Sequence, residues 1–426
     1  MKYLAFFLLT CWYLALFSCR SQDNRRQSLT INDKGIMALI HEKCPDADIV
    51  EIEESKEYTE VNYFCGNTLY ETGIKNGQII FTESPADISV VPIDKINKKL
   101  EKKYQGWILD EISLVELPDT SFLKVEIIRD GIEQNVYFTT SGKFYKSKSI
   151  AVSDKWNSSK LSEIALYKNS PYDFFNTDSV FEMPDVLNEL SGIAKLTNES
   201  VICIQDELGV VFEFNLISES ITKMHRFTDV GDFEDIAIAG NNVFVLRSDG
   251  TLFSFDYYHN NSAVNQSILP INSLNLEGLY YDKTQNCFYV ASKEHLLGGD
   301  ETKRLVFKYL PGQASEIESA VVIDQLELNR LFASQFGSIY SGKVSFNPSA
   351  IAVHPVTKEL YILSSIDKML VVCKDGKILR FYPLPADIYF KPEGIAFFEN
   401  GDLLIANEGD KKGLVKGNIV FLPYRN

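Results

Sequence analysis

The C-terminal part of the chain repeats one short pattern five times. Each copy opens with a small or acidic residue, continues with a small residue and then starts an apolar strand. The five openings are Ser191-Gly192-Ile193-Ala194, Glu234-Asp235-Ile236-Ala237, Glu277-Gly278-Leu279-Tyr280, Ser349-Ala350-Ile351-Ala352 and Glu393-Gly394-Ile395-Ala396. Most of them are 43 or 44 residues apart, and the one long interval indicates an insertion within Leu296–Phe346. A period of this length is typical of repeat architectures, so it constrains the fold before any other feature does.

Each copy contains a second and a third strand-like run after the opening. Turn pairs such as Asp249-Gly250, Asp375-Gly376 and Asn400-Gly401 separate these runs. Three or four strands in every 43 or so residues are typical of a β-propeller blade. We therefore expect a mainly β protein with a five-bladed propeller over residues 176–426, with a six-bladed ring as the alternative. Ser179–Met183 is expected to supply an outer strand that closes the ring.

Residues 30–150 show a second internal duplication. A helical pattern is followed by four strand-like runs, and Pro92 opens a second helix that is again followed by four runs. The pattern predicts a duplicated α+β domain, each copy a helix over a four-stranded sheet. This stretch resembles the PepSY-like (beta-lactamase-inhibitor-protein-like) domains of bacterial envelope proteins, which implies a binding or accessory domain. Residues 151–175 are predicted to form a linker.

The N-terminus has the pattern of an export signal. An uncharged run, Leu4–Phe17, is too short to span a bilayer and has the length of a signal-peptide core. Leu16-Phe17-Ser18-Cys19 resembles the lipobox of bacterial lipoproteins, which implies a signal peptide over 1–18, acylation of Cys19 and a polar tether over 19–29. An ordinary secretory signal is the alternative. We therefore expect a bacterial cell-envelope protein attached to the lipid bilayer through Cys19.

Export would place the chain in an oxidising compartment, where disulfides persist. Cys44 and Cys65 could pair within the N-terminal domain. Cys203, Cys287 and Cys373 lie in strand-like runs and are interpreted as small buried hydrophobic residues.

Composition narrows the range of functions. The 42 Lys+Arg and 58 Asp+Glu residues give a net charge of −16, which argues against nucleic acid as a partner. The chain has no G-x-S-x-G elbow, no Walker loop, no EF-hand loop and no H-E-x-x-H motif. Whether the protein is an enzyme is uncertain from the sequence, and the missing motifs favour a non-enzyme.

The repeat motifs also carry a family resemblance. The openings Leu190-Ser191-Gly192-Ile193, Leu276-Glu277-Gly278-Leu279 and Pro392-Glu393-Gly394-Ile395 are similar to those of the SdiA-regulated (YjiK-like) propellers, as are the strand ends Gln205-Asp206-Glu207, Ser292-Lys293-Glu294 and Ala406-Asn407-Glu408. The resemblance implies a five-bladed propeller related to NHL-repeat propellers, with a calcium site. Two copies depart from the acidic pattern, because Arg247-Ser248 and Ser364-Ser365 replace the acidic ends.

The acidic positions of the repeats are expected to converge at one mouth of the central channel. The candidate metal ligands are Glu234, Glu277, Glu393, Asp206, Glu207, Glu294 and Glu408. Crowded carboxylates either raise one another's pKa or bind a cation, and ligands that are all oxygen favour Ca²⁺ over zinc. Alternatively, channel cations such as Arg247 and Lys293 neutralise these acids. Arg247, Lys293 and Asn407 are also candidates for holding a small anionic ligand beside the metal.

Two functions are compatible with these residues. The first is a membrane-anchored calcium-binding propeller that binds a small anionic ligand or an envelope protein. The second is a calcium-dependent hydrolase of a phosphate ester or lactone. A hydrolase needs a base near the metal, for which Glu294 and His295 are the available candidates. The binding module is favoured, because it needs no base.

Overall fold

The computed structural model describes residues 31–54, 58–129, 132–145, 158–177, 179–259, 262–273, 275–311, 317–337, 344–409 and 415–425. The predicted signal peptide, the lipidation site Cys19 and the tether lie outside these ranges. Within them, no helix is both long and apolar enough to cross a bilayer.

Packing divides the chain into two compact units, Met1–Pro85 with Val115–Thr120, and Ala86–Leu114 with Ser121–Asn426. The first contains helix α1 (Ile31–Lys43) and the antiparallel strands β1 (Asp48–Glu54), β2 (Thr59–Cys65), β3 (Thr68–Lys75) and β4 (Gln78–Pro85). Ile36 and Ile40 of α1 are buried against Val61 and Ile74 of the sheet. A disulfide joins Cys44, just after α1, to Cys65 at the end of β2, so the pairing suggested by the sequence is present.

The second unit begins with the second helix-and-sheet copy. It contains α2 (Ile93–Lys103), all but the last two residues of β5 (Ile108–Glu116), β6 (Ser121–Arg129) and β7 (Ile132–Thr139). Ile96 and Leu100 form the buried stripe of α2, as the helical spacing predicts. The fourth predicted run of this copy forms a single bridge, between Phe144 and Phe138, instead of a full strand. The turn residue Gly142 has a φ of +79°, and only three residues remain after it before the described segment ends.

The segment expected to be a linker is packed into the propeller where the structure describes it. It forms two short helices, α3 (Ser158–Leu161) and α4 (Ala165–Lys168). Tyr172 is buried, and its hydroxyl donates a 2.6 Å hydrogen bond to the carbonyl of Gly401. Phe174 is also fully buried. These aromatic residues are surrounded in the sequence by Ser, Asn and Asp. The segment therefore has the composition of a linker, and its sequence does not indicate that the aromatic side chains are buried.

Five four-stranded antiparallel sheets confirm the five-bladed propeller. Strand β8 (Ser179–Glu182) precedes the blades. Blade 1 contains β9 (Leu190–Lys195), β10 (Ser200–Gln205), β11 (Val210–Asn215) and β12 (Ser220–Arg226), and blade 2 contains β13 (Phe233–Ala239), β14 (Asn242–Arg247), β15 (Thr251–Asp256) and β16 (Asn265–Ile268). Blade 3 contains β17 (Leu276–Asp282), β18 (Cys287–Ser292), β19 (Lys303–Tyr309) and β20 (Ile317–Asp324), and blade 4 contains β21 (Pro348–Val353), β22 (Leu360–Ser364), β23 (Met369–Lys374) and β24 (Lys377–Pro383). Blade 5 contains β25 (Pro392–Phe397), β26 (Leu403–Asn407) and β27 (Asn418–Leu422).

The ring is closed by a strand from the other end of the domain. Strand β8 pairs with β27 as the outermost strand of blade 5, as predicted for Ser179–Met183. The long interval between the third and fourth openings holds β20 and helix α5 (Gln325–Phe336), whose N-terminus is capped by the side chain of Asp324. The second strands are apolar almost throughout because they are buried on both faces, as in β10.

The inner strands β9, β13, β17, β21 and β25 approach one another closely, and this requires small residues. A Cβ added at Gly192 would lie 2.7 Å from the Cα of Asp235 in the next blade. One added at Gly394 would lie 3.3 Å from the backbone nitrogen of Ile193 on the inner strand of blade 1. The equivalent residue is Gly or Ala in four blades, and in blade 2 it is the larger Asp235. Its buried carboxylate accepts hydrogen bonds from the backbone N–H of Ile236 (2.8 Å) and of Leu279 in the next blade (2.7 Å).

This packing predicts that Gly192→Ala destabilises the protein by about 1–3 kcal/mol, because the added methyl group meets backbone that cannot move aside. The free energy of unfolding in urea measures the effect. Gly35→Ala is the matched control, since its Cβ would have open space on α1 and Ala favours a helix by up to about 1 kcal/mol. Equal stability of the two variants would contradict close blade packing.

Candidate functional site

A regular register brings one polar residue pair from each of four blades to the same end of the channel. The residue before the inner strand accepts a backbone hydrogen bond from the residue after the second strand. The observed N–H-to-carbonyl pairs are Asp206 to Glu189, Ser248 to Asp232, Lys293 to Asn275 and Glu408 to Lys391. The second residue of each inner strand, which is Glu234 in blade 2 and Glu277 in blade 3, completes the set.

These residues surround a cavity of about 390 Å³, which we call the acidic mouth. Its lining consists of Ser191, Asp206, Asp232, Glu234, Asn275, Glu277, Lys293, Asn347, Ser349, Ser365, Ile366, Lys391, Glu393 and Glu408. Six of these side chains are carboxylates and two are ammonium groups, so the mouth carries an excess of acid. Carboxylates from separate blades are thus held together by the fold, whatever their mutual repulsion.

Both ammonium groups of the mouth are paired. Lys293 forms an ion pair with Glu277, whose side chain is only 2% exposed and also accepts a 3.0 Å hydrogen bond from Nδ2 of Asn275. Lys391 forms an ion pair with Glu408. Lys293 therefore neutralises Glu277, as the alternative interpretation of the sequence predicted. It does not form an ion pair with Glu234 or Glu393, the other glutamates of the inner strands.

Glu234 and Glu393 are half-buried beside Glu277, and no ion pair reaches either of them within the described ranges. Burial, followed by repulsion from Glu277 and Asp232, raises the pKa of Glu234 from 4.5 to about 9. Burial, followed by repulsion from Glu277, raises the pKa of Glu393 from 4.5 to about 8. Near neutral pH, each of these carboxyls therefore holds a proton unless a cation replaces it.

The structure brings six of the predicted site residues together in the acidic mouth. They are Asp206, Glu234, Glu277, Glu393, Glu408 and Lys293. Glu207 lies next to the mouth, where one carboxylate oxygen from each of Glu189, Asp206 and Glu207 lies within 4.8 Å of the others. Glu294 and His295 are not among the residues that line the cavity.

Arg247 and Asn407 lie elsewhere, because the repeats align one residue differently from what the sequence suggested. In blade 2, Arg247 is the last residue of β14 and pairs with Phe233. In blade 3, the equivalent last residue is Ser292, which pairs with Leu276. The residue equivalent to Lys293 is therefore Ser248 and not Arg247. The guanidinium of Arg247 pairs with Asp249 at 2.7 Å and lies over the ring of Phe253. Asn407 is fully buried and donates a 2.9 Å hydrogen bond to Oδ1 of Asn418.

Sequence reasoning missed Asp232, Asn275 and Lys391, all of which line the mouth. Each stands two residues before the repeated opening motif. The signal was available in the repeat itself, and extending the repeat alignment upstream by two residues would have found it.

The donor set of the acidic mouth fits a hard cation. Oδ1 of Asn275 is buried and has no hydrogen-bond partner, while Nδ2 of the same amide is used by Glu277. This amide oxygen, which has no partner among the described residues, lines the same cavity as the carboxylates of Glu234 and Glu393, and all three offer oxygen ligands of the kind Ca²⁺ takes in proteins. The site residues include neither His nor Cys, so the mouth lacks the nitrogen and sulfur ligands typical of zinc sites.

The fold and this mouth define the chain as a β-propeller module. No protein-family model and no curated protein matches it. Among solved structures, it is similar to glutaminyl cyclase from Myxococcus xanthus (TM-score 0.40, 12% identity, 59% of this chain and 96% of that chain covered). It is also similar to a streptogramin B lyase (TM-score 0.33, 12% identity, 89% and 95% covered). A BLIP-like protein from Bacteroides fragilis matches with a TM-score of 0.23 and 19% identity over 28% of this chain and 88% of that chain. These scores are too low to carry an argument about activity or ligand.

The raised pKa values predict how stability depends on pH without metal. Between about pH 5 and pH 9 the folded protein keeps a proton on Glu234 that the unfolded chain releases. The unfolded state then binds fewer protons, so the free energy of unfolding falls as the pH rises through this window. Urea unfolding in a chelator at several pH values measures the slope. Glu234→Gln should flatten it, whereas the control Glu399→Gln should not, and parallel slopes for all three proteins would contradict the electrostatics of the mouth.

Proposed function

We propose that the protein is a binding module of the bacterial cell envelope whose acidic mouth holds a Ca²⁺ ion and, with Lys293, takes up a small anionic ligand or an acidic group of a partner protein. The observation that carries the proposal is the pair Glu234 and Glu393. Both are half-buried acids with raised pKa values, and no described ammonium group pairs with either. A divalent cation would relieve the repulsion that the fold imposes on them.

The residues that would hold the ion are Glu234, Glu393 and Oδ1 of Asn275, with Glu277 shared between the ion and Lys293. Lys293 is about one-third exposed, so its ammonium group can face an incoming anion while still contacting Glu277. The ion would supply charge neutralisation and a coordination position for an anionic oxygen. Asp206 and Glu207 form a separate acidic group with Glu189, and Glu408 is already paired with Lys391.

Two features support an envelope location. The disulfide Cys44–Cys65 is of the kind that persists in oxidising compartments. The lipobox-like Leu16-Phe17-Ser18-Cys19 would attach the protein to the bilayer through acylated Cys19.

The calcium proposal has a further support in the sequence, because the repeat motifs are similar to those of SdiA-regulated propellers, a resemblance that implies a calcium site.

The binding function is favoured over the calcium-dependent hydrolase because of where the available bases lie. A hydrolytic base must reach a water molecule on the metal, within about one hydrogen bond. Glu294 and His295, the candidates for this role, follow β18 outside the lining of the acidic mouth. Inside the mouth, Glu277 and Glu408 are paired with lysines, and Glu234 and Glu393 would themselves be ligands of the ion.

The test is thermal unfolding of the full chain with calcium and with a chelator. A ligand that binds only the folded state stabilises it by about 2.7 kcal/mol at 100 times its dissociation constant, so the melting temperature should rise with calcium concentration. Glu234→Gln and Glu393→Gln should remove most of that rise. Glu399→Gln, an exposed residue at the other end of the channel, is the matched control and should keep it. A calcium effect of the same size in all variants would place the ion elsewhere, and no effect would refute the calcium proposal.

A further inference from the structure

Helix α2 carries a positive charge that its counterpart α1 lacks. The two helices open the two copies of the duplicated helix-and-sheet unit. In α1, two lysines are balanced by two acids, whereas α2 has five lysines against two acids. The packing of the unit requires only the buried stripe of each helix, so the fold does not account for the lysines. In a protein with a net charge of −16, α2 is a local basic surface.

Three of these lysines form one outward strip. Lys95, Lys98 and Lys102 follow one another at spacings of three and four residues, which places them on the same side of a helix. All three are exposed, while Ile96 and Leu100 are buried on the opposite side. In the described part of the chain, no acid forms an ion pair with any of the three. We call Lys95, Lys98 and Lys102 the lysine strip.

The other charged residues of α2 do not cover the lysine strip. Asp94 and Glu101 are seven residues apart and therefore share a neighbouring side of the helix. Lys99 and Lys103 lie over the ring of Phe144, with distances of 5.0 and 5.9 Å from Nζ to the ring centre. The lysine strip is thus left as the cationic surface that α2 offers to a partner.

The loop directly before α2 exposes two apolar side chains. Ile88 is 63% and Val90 is 76% exposed. The loop is a formed turn, because Asp87 accepts hydrogen bonds from the backbone N–H (2.9 Å) and hydroxyl (2.7 Å) of Ser89, and its carbonyl accepts one from the N–H of Val90 (3.0 Å). Exposed aliphatic side chains next to a lysine-rich helix are the combination by which proteins bind a membrane surface without spanning it.

We propose that α2 and the loop before it dock on a bilayer surface that contains anionic lipids. The lysine strip would face the phosphate groups of the lipids, and the two exposed aliphatic side chains would enter the headgroup layer. This proposal rests on the envelope location proposed above. The predicted tether, residues 19–29, reaches at most about 36–40 Å when fully extended, so an acylated Cys19 would keep the protein near the headgroups.

Charge complementarity favours this partner. The attraction between lysines and anionic lipids acts within about 10 Å at 0.1 M salt, and each lysine near the surface adds to it. The rest of the chain carries the acidic excess, and the same surface would repel it. A docked α2 would therefore set the orientation of the protein on the bilayer, which a flexible tether alone does not.

The experiment is sedimentation with vesicles of the chain from Arg20 to Asn426, which keeps every described residue and carries no acyl chain. In a chelator at 0.1 M salt, it should bind vesicles of equal parts phosphatidylglycerol and phosphatidylcholine and not vesicles of phosphatidylcholine alone. Binding should weaken by at least about tenfold at 0.5 M salt, because salt screens the attraction.

The triple variant Lys95→Glu/Lys98→Glu/Lys102→Glu should weaken binding to the anionic vesicles by at least about tenfold. Lys358→Glu/Lys374→Glu/Lys377→Glu is the matched control. It makes the same charge change at three exposed lysines of blade 4 and should keep binding within about twofold. All six positions are exposed, so thermal unfolding should show both variants folded.

A second pair of variants tests the loop and not the charge. Ile88→Ser/Val90→Ser should weaken vesicle binding severalfold and leave its salt dependence unchanged, because it removes apolar contact and keeps every lysine. The matched control is Ile217→Ser/Ile268→Ser, which removes two aliphatic side chains of equal exposure (76% each) from blades 1 and 2. It should bind like the unaltered chain.

Three results would overturn the proposal. They are equal binding to anionic and neutral vesicles, equal binding of the two triple variants, and no binding of the unaltered chain to anionic vesicles, which would favour an acidic protein as the partner of the lysine strip. The assay uses neither calcium nor the acyl chain. Labelling of Cys19 with a radioactive fatty acid and the calcium-dependent melting temperature test the proposed function separately, so failure of one proposal is distinguishable from failure of the other.

Discussion

The close approach of five inner strands around one axis is the constraint on which the rest of the propeller depends. It permits glycine or alanine at one position of each strand and admits Asp235 only because backbone amides of its own strand and of the next blade take up the carboxylate. Radial closure also removes the exposed sheet edges that isolated four-stranded sheets would carry. The last edge is covered by β8, so the chain on the N-terminal side of the first blade is part of the ring.

Because the blades are arranged around one axis, equivalent residues of the sequence repeats form a ring around the channel. Residues at the start of each inner strand meet at one end of the channel, and residues near its end meet at the other. The first set is acidic in three blades and the second is aliphatic in all five, so one repeated position supplies acids to one end of the channel and another supplies aliphatic side chains to the other. A single backbone arrangement thus presents different side chains at the two ends of the channel.

The period and the small-residue position predicted the five blades, because both arise from local pattern and from a packing rule that repeats. The convergence of Glu234, Glu277 and Glu393 followed from the same rule. The pairing of Lys293 with Glu277 was one of two interpretations, and only the three-dimensional structure distinguishes them. The position of Arg247 was predicted incorrectly because the sequence motifs do not show where the second strand ends. Arg247 is the last residue of that strand in blade 2, and the residue after the strand is Ser248 there and Lys293 in blade 3. Lys391 was missed because it precedes the recognised motif.

The proposed function requires a divalent cation held by carboxylates that the ring forces together. Diffraction from crystals grown with calcium, recorded where bound calcium scatters anomalously, tests this most directly. The predicted result is one anomalous peak in the acidic mouth, within about 2.3–2.6 Å of carboxylate oxygens of Glu234 and Glu393. A mouth without a peak, or a peak confined to the group Glu189, Asp206 and Glu207, would contradict the proposed calcium site.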